Sequence, residues 1–494
     1  MKAKKIINSC LSVLLAVVVA FTGISMEVSA TSLPYDTYNY DYWEDIVFTP
    51  AAYTPTKTIS GTGLTYNGEA LGAFLTPQDL CKSPNGNVYV ADTGNNRIVI
   101  LNQDMTEVVN VITTFDNNGT EDKFKQPTGV AVSQSNQLYI ADSQNRRIVV
   151  LNEDGSLAKI VDNPQAEVLE DNYKFTPLKV SVDYADRIYC IAQNMFEGIM
   201  VFESNGEFTG FFGTINVEIT LWEKFWRKIA TKEERSKQQL FIPTEFTGID
   251  VDPDGFVYAS NIDATGIQGV RRLNPKGEDV IKKGPKQNLG GDIQIDGTTQ
   301  YAGPSQFTDV VYRDYGIYSC LDRKRGRIFT YDHEGNLLYV FGGMGTQEGT
   351  FAMPVAIESI GETVIVLDAT RASILCFDVT EYGKLINDAV ALRYSGDETK
   401  AVELWEKVLD LDENNELANT GIGKAYLTSG DYVQAMKYLE IGMSRSYYSI
   451  AYKRYRNNIL TENMSIILTV GLVAVAGIFV YSKVKKKKGG KKDA

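Results

Sequence analysis

Four aspartates with similar surroundings are the side chains of this 494-residue sequence that could do chemistry together. Each ends a short apolar run, and three of them precede an arginine by five residues. They are Asp92 with Arg97, Asp142 with Arg147, Asp322 with Arg327, and Asp368. Carboxylates that meet in space can bind calcium or a polar ligand. The same residues can also stabilise their own turns by local hydrogen bonds, and their repetition favours that structural role.

The aspartates belong to a repeat that must position them. Residues 75–104 align with residues 125–155, and Tyr89, Tyr139 and Tyr189 are spaced by 50 residues. Four more copies begin at Lys174, Phe241, Pro304 and Phe351. Each copy alternates apolar and polar residues between Asn, Asp and Gly turns, which predicts four strands per copy. Six such units of about 40–50 residues are typical of a six-bladed β-propeller, a mainly β fold.

The two best copies resemble the NHL-repeat family. Residues 89–98, YVADTGNNRI, are close to the family consensus, and residues 140–148 repeat it. The third and fourth copies have Gln193 and Asn261 in place of the aspartate. The resemblance implies a propeller over residues 57–383 whose four aspartates and three arginines gather at one mouth of the channel, as a candidate ligand site. Some six-bladed relatives are lactonases or lyases that hold a metal there, but we assign no catalytic residue, metal or cofactor.

The ends of the repeat region suggest how the ring closes. The last copy lacks a strand after Phe377 and Asp378, because the sequence becomes helical from Glu381. Residues 54–63 resemble the outer strand at residues 337–345. We therefore predict that this N-terminal strand completes the sixth blade and leaves no open edge. Residues 31–56, rich in Tyr and Asp, are interpreted as an extended arm.

An insertion at residues 219–239 separates the third and fourth copies. Trp222, Phe225 and Trp226 recur in it at helical spacing, with Lys and Arg opposite. This aromatic face could contact a membrane surface or a protein partner. It could equally pack on the rim of the propeller, and the sequence leaves both interpretations open.

Residues 384–460 have a helical period instead. Three positions recur after 34 residues, pairing Leu392 with Tyr426, Ala401 with Ala435, and Trp405 with Leu439. This spacing resembles tetratricopeptide repeats, a family that binds peptides on a concave face. Two units are fewer than the three or more usually needed for stability, so we expect support from the propeller or from a helix at residues 444–460. A spacer or dimer contact and peptide binding remain alternatives.

The two termini predict where the chain resides. Residues 1–30 have the layout of a secretory signal, with three lysines, an apolar run and a small-residue site before Thr31. Residues 464–482 are uncharged and long enough to span a bilayer, and a Lys-rich tail follows at residues 483–494. The positive-inside rule makes that tail cytoplasmic and the preceding domains extracellular.

Charge and rare residues narrow the function classes. The net charge of -13 combines +2 in residues 1–30 and +6 in residues 483–494 with -21 between them, which disfavours nucleic acid as a partner. Four unpaired cysteines remain after cleavage, and His333 is the single histidine, which disfavours a disulfide framework, a zinc site with several His ligands and a His-centred triad.

These features fit a Gram-positive cell membrane. We expect a membrane-anchored, extracellular propeller that acts as a binding or scaffold protein in an envelope complex, with a protein, peptide or carbohydrate ligand or a neighbouring transporter. The alternative is a metal-dependent hydrolase or lyase of the lactonase type.

Overall fold

The computed structural model describes residues 33–164, 166, 169, 173–213, 245–263, 265–284, 289–293 and 301–489. The predicted signal at residues 1–30 lies outside these residues. So does the insertion with Trp222, Phe225 and Trp226, whose role stays a prediction.

Six antiparallel sheets follow one another around a ring and form a six-bladed β-propeller, as the repeat predicts. Blade 1 contains Asp79–Lys82, Val88–Asp92, Arg97–Leu101 and Val108–Ile112, and blade 2 contains Pro127–Val132, Leu138–Asp142, Arg147–Leu151 and Leu157–Val161. Blade 3 contains Pro177–Val182, Ile188–Ala192, Ile199–Phe202 and Phe208–Phe212, and blade 4 contains Phe246–Val251, Val257–Asn261 and Val270–Leu273. Blade 5 contains Phe307–Tyr312, Tyr318–Asp322, Arg327–Tyr331 and Leu337–Phe341, and blade 6 contains Pro354–Ile360, Thr363–Asp368, Ser373–Val379 and Tyr53–Ser60. Two small hairpins, Thr65–Tyr66 with Glu69–Ala70 and Thr114–Asn117 with Thr120–Lys123, lie between blades.

The core of the propeller lies between the faces of neighbouring blades. The second strand of every blade is buried along nearly its whole length, because both of its faces are covered. Tyr139 and Ile148 of blade 2, for example, pack in one cluster with Cys190 and Met200 of blade 3. β-Branched and aromatic residues fit this doubly covered position. The four cysteines in the described residues are free.

The N-terminal strand completes blade 6, which confirms the predicted closure. Tyr53–Ser60 pairs antiparallel with Ser373–Val379, from Ser60 opposite Ser373 to Tyr53 opposite Val379. Strands from the two ends of the propeller sequence thus share one sheet. The closing strand begins at Tyr53, slightly before the expected start of the propeller.

The residues interpreted as an extended arm form a β-hairpin. Tyr38–Tyr40 and Ile46–Phe48 pair with each other, and the first of them extends the outer strand of blade 5. Tyr38 and Tyr40 alternate inward and are buried, and both hydroxyl groups donate hydrogen bonds to Asp292. Burial of these rings holds the hairpin on the blade, which the tyrosine-rich composition alone did not show.

Six helices follow the propeller in the described chain: α1 Glu381–Tyr394, α2 Glu398–Leu411, α3 Glu416–Ser429, α4 Tyr432–Ile441, α5 Arg445–Glu462 and α6 Met464–Gly489. Four of the helices have a side chain at the N-cap that accepts a hydrogen bond from a backbone N–H of the first turn. The capping residues are Thr380, Asp397, Asn415 and Asp431. Such caps stabilise helices by about 1 kcal/mol each. The helices α1 to α4 form two antiparallel hairpins at the predicted positions.

The helical hairpins share a core with blades 5 and 6. Ile386 and Trp405 belong to one buried cluster with Phe341 and Phe377 of the propeller. Glu334 of blade 5 accepts hydrogen bonds from Arg393 at 3.0 Å and from Lys424 at 2.8 Å.

The other end of the helical module is covered by α5. Ala451 of α5 packs with Ala435 and Leu439 of α4. Support for the two hairpins therefore comes from both of the predicted sources, the propeller and the following helix. The segment Met464–Lys485 of α6 is long and apolar enough to cross a membrane, with none of its apolar window buried.

Candidate binding site in the propeller channel

The turns between the second and third strands lie at one end of the channel, here called the motif end, and they engage the predicted aspartates locally. Asp92 Oδ1 accepts a hydrogen bond from the backbone N–H of Leu75 at 2.7 Å. Its Oδ2 accepts hydrogen bonds from Asn95 at 2.8 Å and from Arg97 Nε at 2.7 Å. The carboxylate is fully buried. Asp92 therefore links the segment before the first strand, the turn and the third strand of its own blade.

Asp142 repeats this geometry in blade 2. Its two oxygens accept hydrogen bonds from the backbone of Lys125 at 2.7 Å and from Asn145 and Arg147 at 2.8 and 2.9 Å. Arg147 also binds Asp122 through both terminal nitrogens, at 2.7 and 3.0 Å. These hydrogen bonds from Arg147 lower the pKa of Asp122 to about 2.

The remaining two aspartates bind mainly backbone amides. Asp322 Oδ1 accepts hydrogen bonds from the backbone of Gln306 and Lys324, both at 2.9 Å. Burial raises the pKa of Asp322. Asp368 accepts hydrogen bonds from four backbone N–H groups, two before it in sequence and two after it, those of Ala352, Met353, Thr370 and Arg371.

The three predicted arginines do not converge with the aspartates of other blades. Arg97 and Arg147 each bind the aspartate of their own blade. Arg327 instead contacts the hydroxyl group of Tyr38 and lies 3.3 Å from Asp292, so it anchors the N-terminal hairpin. A ligand role for the seven residues stays a prediction, and their observed contacts are those of turns and blade packing.

The channel itself is lined by the first strand of each blade, and a buried group of ion-paired side chains, here called the plug, crosses it at one level. One residue per blade forms this level, here called the floor ring: Asp79, Gly129, Lys179, Gly248, Asp309 and Ala356. Lys179 Nζ lies 2.8 Å from Asp79 Oδ1 and 3.0 Å from Asp309 Oδ2. Charged residues thus come from blades 1, 3 and 5, and small residues come from the blades between them.

The small residues of the floor ring are required by close backbone approach. A Cβ at Gly129 would lie 2.8 Å from the Cα of Lys179. A Cβ at Gly248 would lie 2.5 Å from the Cα of Asp309. Glycine is the residue that permits such contact between neighbouring strands.

Burial sets the protonation behaviour of the plug. Burial raises the pKa of Asp309 to about 6, against the lowering effect of Lys179, and the neighbouring Asp79 raises it further. Burial likewise raises the pKa of Asp79. Burial would lower the pKa of Lys179, but the two carboxylates outweigh it and raise that pKa. The ammonium group of Lys179 therefore stays charged, and it compensates two carboxylates that are otherwise costly to bury.

Beyond the floor ring, toward the turns between the first and second strands, lies a cavity of about 280 Å³. Its lining runs from Asp79, Lys179 and Asp309 to the exposed turns between the first and second strands, which include Tyr184 and Asp314. The end of the channel at these turns is here called the open end. The motif end with its four aspartates lies on the other side of the floor ring.

The cavity wall carries a second level of residues, here called the upper ring, two positions after the floor ring: Cys81, Ala131, Ser181, Asp250, Val311 and Glu358. Asp250 Oδ2 accepts a hydrogen bond from the backbone of Tyr312 at 2.7 Å, and its Oδ1 accepts one from Val251 at 2.8 Å. Burial and the nearby charge of Glu358 raise the pKa of Asp250 to about 7.

Glu358 has one cationic neighbour. Its Oε1 lies 3.4 Å from Lys82 Nζ, and its Oε2 accepts a hydrogen bond from the backbone of Lys82 at 3.2 Å. The charge of Glu358 raises the pKa of Lys82. The upper ring therefore offers two carboxylates to the cavity, and Lys82 lines the same cavity. Asp250 accepts hydrogen bonds from backbone amides, and the charge of Lys82 lowers its pKa against the effects of burial and Glu358.

The repeated motif includes none of the channel residues, although their equal spacing in the sequence marks them. Asp79, Gly129 and Lys179 occupy equal places after Pro77, Pro127 and Pro177, at 50-residue spacing. Residues that repeat in each copy mark turns, whereas this column changes its chemistry from blade to blade. Within the described residues, no group of three or more His, Cys, Asp or Glu side chains is placed to hold a metal ion.

Comparison with known proteins agrees on the repeat. The NHL repeat profile matches residues 74–101 and 124–151. No curated protein matches the chain. Among solved structures, virginiamycin B lyase from Staphylococcus aureus is 11% identical, with a TM-score of 0.40, and the match covers 66% of this chain and 99% of that one.

Two further solved structures are similar at the same level. Hydrazine synthase from Kuenenia stuttgartiensis is 10% identical, with a TM-score of 0.39, over 64% of this chain and 99% of that one. A protein of unknown function from Bacteroides thetaiotaomicron is 16% identical, with a TM-score of 0.42, and the match covers 68% of this chain and 80% of that one. The activities of these proteins are not transferred to this chain. In its described residues, the chain is a six-bladed β-propeller with NHL repeats, followed by six C-terminal helices.

Proposed function

We propose that the protein is a membrane-anchored binding or scaffold protein, with the propeller and the tetratricopeptide-like hairpins outside the cell and the Lys-rich tail inside. The observation that carries the proposal is the shared core between propeller and helices. Blades 5 and 6, the N-terminal strand and α1 pack in one cluster, and α5 leads directly into the apolar helix α6. A ligand or partner of the propeller is thereby held at a defined place relative to the anchor.

A buried polar network strengthens this connection. Arg313 of blade 5 donates hydrogen bonds to the hydroxyl groups of Tyr53 and Tyr339. Tyr339 donates in turn to Asn387 of α1 at 2.7 Å, and Asn387 donates to Tyr53 at 3.2 Å. Four elements distant in sequence thus share one network, and satisfied buried networks make packing rigid and specific. Rigid presentation is what a scaffold requires.

The acidic character of the outer segment supports protein partners. The -21 charge between the two basic ends disfavours binding to nucleic acid and to anionic lipid, whereas it suits a partner with a basic surface. An envelope complex supplies such partners at the membrane to which α6 would anchor the chain.

The partner is tested by crosslinking the intact protein in its own membrane and identifying what is recovered. A photoreactive residue at exposed Phe48 or Val433 reports on the hairpin and on the helical module separately. We expect a discrete envelope protein or glycan at one of these positions, with no recovery from a variant that lacks the closing strand Tyr53–Ser60. Turnover of lactones or esters together with a stoichiometric metal ion would overturn the proposal.

The topology is tested by cysteine labelling in intact cells. A membrane-impermeant maleimide should label Asn118→Cys, at an exposed hairpin tip, and should leave Lys492→Cys in the tail unlabelled. Labelling in the opposite pattern would refute the proposed orientation.

A further inference from the structure

The N-terminal hairpin forms an open edge on the sheet of blade 5. Tyr38–Tyr40 pairs with the outer strand of the blade, and Ile46–Phe48 is the last strand of the resulting six-stranded sheet. A strand at the edge of a sheet offers unpaired backbone groups to another strand. The edge formed by Ile46–Phe48 is here called the hairpin edge.

The register of the hairpin shows which backbone groups this edge offers. The backbone N–H of Thr49 donates to the carbonyl of Thr37 at 3.2 Å, within the hairpin. Hydrogen-bonded pairs alternate with non-bonded pairs along two antiparallel strands, so Ile46 and Phe48 occupy the non-bonded positions. Their N–H and C=O groups therefore point toward the hairpin edge, and within the described part of the chain they have no hydrogen-bond partner.

The side chains at the hairpin edge are apolar and exposed. Ile46 is 39% exposed, Phe48 is 70% exposed, and Trp43 in the adjoining turn is 68% exposed. Ile46 and Phe48 lie on one face of the strand, because side chains alternate along it. Natural edges are commonly protected by lysine or proline, and neither residue type occurs between Tyr40 and Phe48.

Contacts on both sides hold the hairpin in a fixed place. Toward the blade, Asn39 Nδ2 donates to the carbonyl of Leu337 at 3.2 Å. At the turn, the backbone N–H of Tyr42 donates to Glu416 of α3 at 2.9 Å, and the guanidinium of Arg445 of α5 lies 5.2 Å from the centre of the Tyr42 ring. An edge that is ordered before binding lowers the entropic cost of adding a strand.

The charge beside the hairpin edge restricts the partner. Residues 31–56 carry four acids and no Lys or Arg, and Glu44 and Asp45 are exposed next to Ile46. Pairing of two copies would bring together two outer segments of -21 charge each, which disfavours a second copy at this edge. A strand with a basic end has the complementary charge.

We propose that the hairpin edge binds an extended segment of a partner protein, which adds a strand to the sheet of blade 5. The segment runs antiparallel, the more stable pairing, so that Ile46 and Phe48 each exchange both hydrogen bonds with the residue opposite. Those two residues of the segment are apolar, and basic residues follow them beside Asp45 and Glu44. Main-chain bonds then supply affinity, and the alternate side chains supply specificity. This inference rests on the proposed scaffold role and names the kind of segment that the partner presents.

The probe is a capped peptide of sequence TITVKK with a neutral fluorophore, which places its apolar residues opposite Phe48 and Ile46 and its lysines beside the turn. Its fluorescence anisotropy is measured against the full-length chain in detergent at low salt. We expect saturable binding, and about tenfold weaker binding of the peptide TITVEE. N-methylation of the two apolar residues removes their N–H donors, keeps side chains and charge, and should abolish binding.

Variants of the hairpin test the edge from the side of the protein. Phe48→Pro removes an outward N–H without removing a hydrogen bond of the hairpin, and it should abolish binding. Phe48→Thr loses the ring and keeps the N–H, so it should bind more weakly than wild type and better than Phe48→Pro. Asp45→Asn should weaken binding of TITVKK by about threefold. The matched control Asp254→Asn, in an exposed turn of blade 4, should bind as the wild type does.

The inference is overturned by no saturable binding of TITVKK, by equal binding of its N-methylated form, or by unchanged affinity in Phe48→Pro. A dimer of the full-length chain that Phe48→Pro converts to a monomer would also overturn it, because a second copy would then occupy the edge. Circular dichroism and thermal unfolding accompany each variant. Should Phe48→Pro fail to fold, the N-methylated peptide still decides the question with the wild-type chain. Crosslinking of an envelope protein from Val433 without peptide binding would refute the hairpin edge and leave the scaffold role standing.

Discussion

At the motif end of the channel, Asp92 and Asp142 each bind a backbone amide, an asparagine and an arginine of their own blade. Beyond the floor ring, toward the open end, Asp250 and Glu358 face a cavity and accept amides from the next blade. The carboxylates bind groups of their own turns in the first case, and in the second they line a cavity together with Lys82. In a repeat fold, side chains found in most copies stabilise the blades, and side chains that differ between copies set the charge and polarity of the channel.

Lys179→Met breaks the plug that separates these two ends and should have the largest effect. It leaves Asp79 and Asp309 buried without their cation, and removing one partner of a buried ion pair costs about 3–5 kcal/mol. Chemical denaturation of the full-length chain measures the loss. The control Lys276→Met removes an exposed lysine and should be neutral, so equal stabilities of the two variants would contradict the role of the plug.

Asp92→Ala tests the motif end alone. The backbone N–H of Leu75 and the guanidinium of Arg97 lose their acceptor, which should lower the free energy of unfolding by about 2–3 kcal/mol. Asp104→Ala in an exposed turn of the same blade is the control and should be nearly neutral. Equal stabilities of Asp92→Ala and Asp104→Ala would contradict the structural role of the turn aspartate.

Asp250→Asn tests the carboxylate at the open end through the pH dependence of the free energy of unfolding. The pKa of Asp250 is about 7 in the fold and about 3.9 in an unfolded chain, so the stability it contributes is complete below about pH 4 and is lost as the pH rises through 7. Glu358, Lys82 and Cys81 are the titratable groups that face it. The asparagine variant should therefore be more stable than wild type by about 1 kcal/mol at pH 8, a figure reduced for the open cavity, and equal to it near pH 4. Parallel stability curves across this range would contradict the assigned environment.

Tyr184→Ala should have the smallest effect. Its ring is 57% exposed at the open end, so the free energy of unfolding should change by less than about 0.5 kcal/mol. Chemical denaturation beside the control Tyr452→Ala, which alters an exposed ring on α5, measures the difference. A loss of stability clearly larger than that of the control would show that the Tyr184 ring packs on the rim of the channel.

The sequence predicts the blades better than the channel, for a physical reason. Alternating apolar strands and Asn-Gly turns report local structure, so the six copies and the closing strand at residues 54–63 can be found without coordinates. The plug depends on side chains 100 residues apart or more that meet at the axis, such as Asp79 and Lys179. No local pattern encodes that meeting, although the 50-residue register places both residues in one column.

The N-terminal hairpin was missed for the same kind of reason. Tyr38 and Tyr40 are buried by contacts with Asp292 and Arg327, far along the chain, and their own neighbours show no strand periodicity beyond three residues. The turn aspartates show the converse. Their positions and Arg partners in blades 1 and 2 follow from the motif, whereas the function of a carboxylate depends on which end of the channel it faces.

Closure of the sixth blade also imposes an order on assembly. Tyr53 is made early and its partner Val379 late, so the ring cannot be fastened until nearly the whole propeller has been synthesised and, on the proposed topology, exported. A chain interrupted before Ser373 would keep an unpaired strand edge, which is a template for aggregation. The backbone N–H of Thr380, at the start of α1, donates to the carbonyl of Ala52 beside the closing strand. The helical module thus packs on the closed sixth blade, so it can reach its native position only after the propeller is complete.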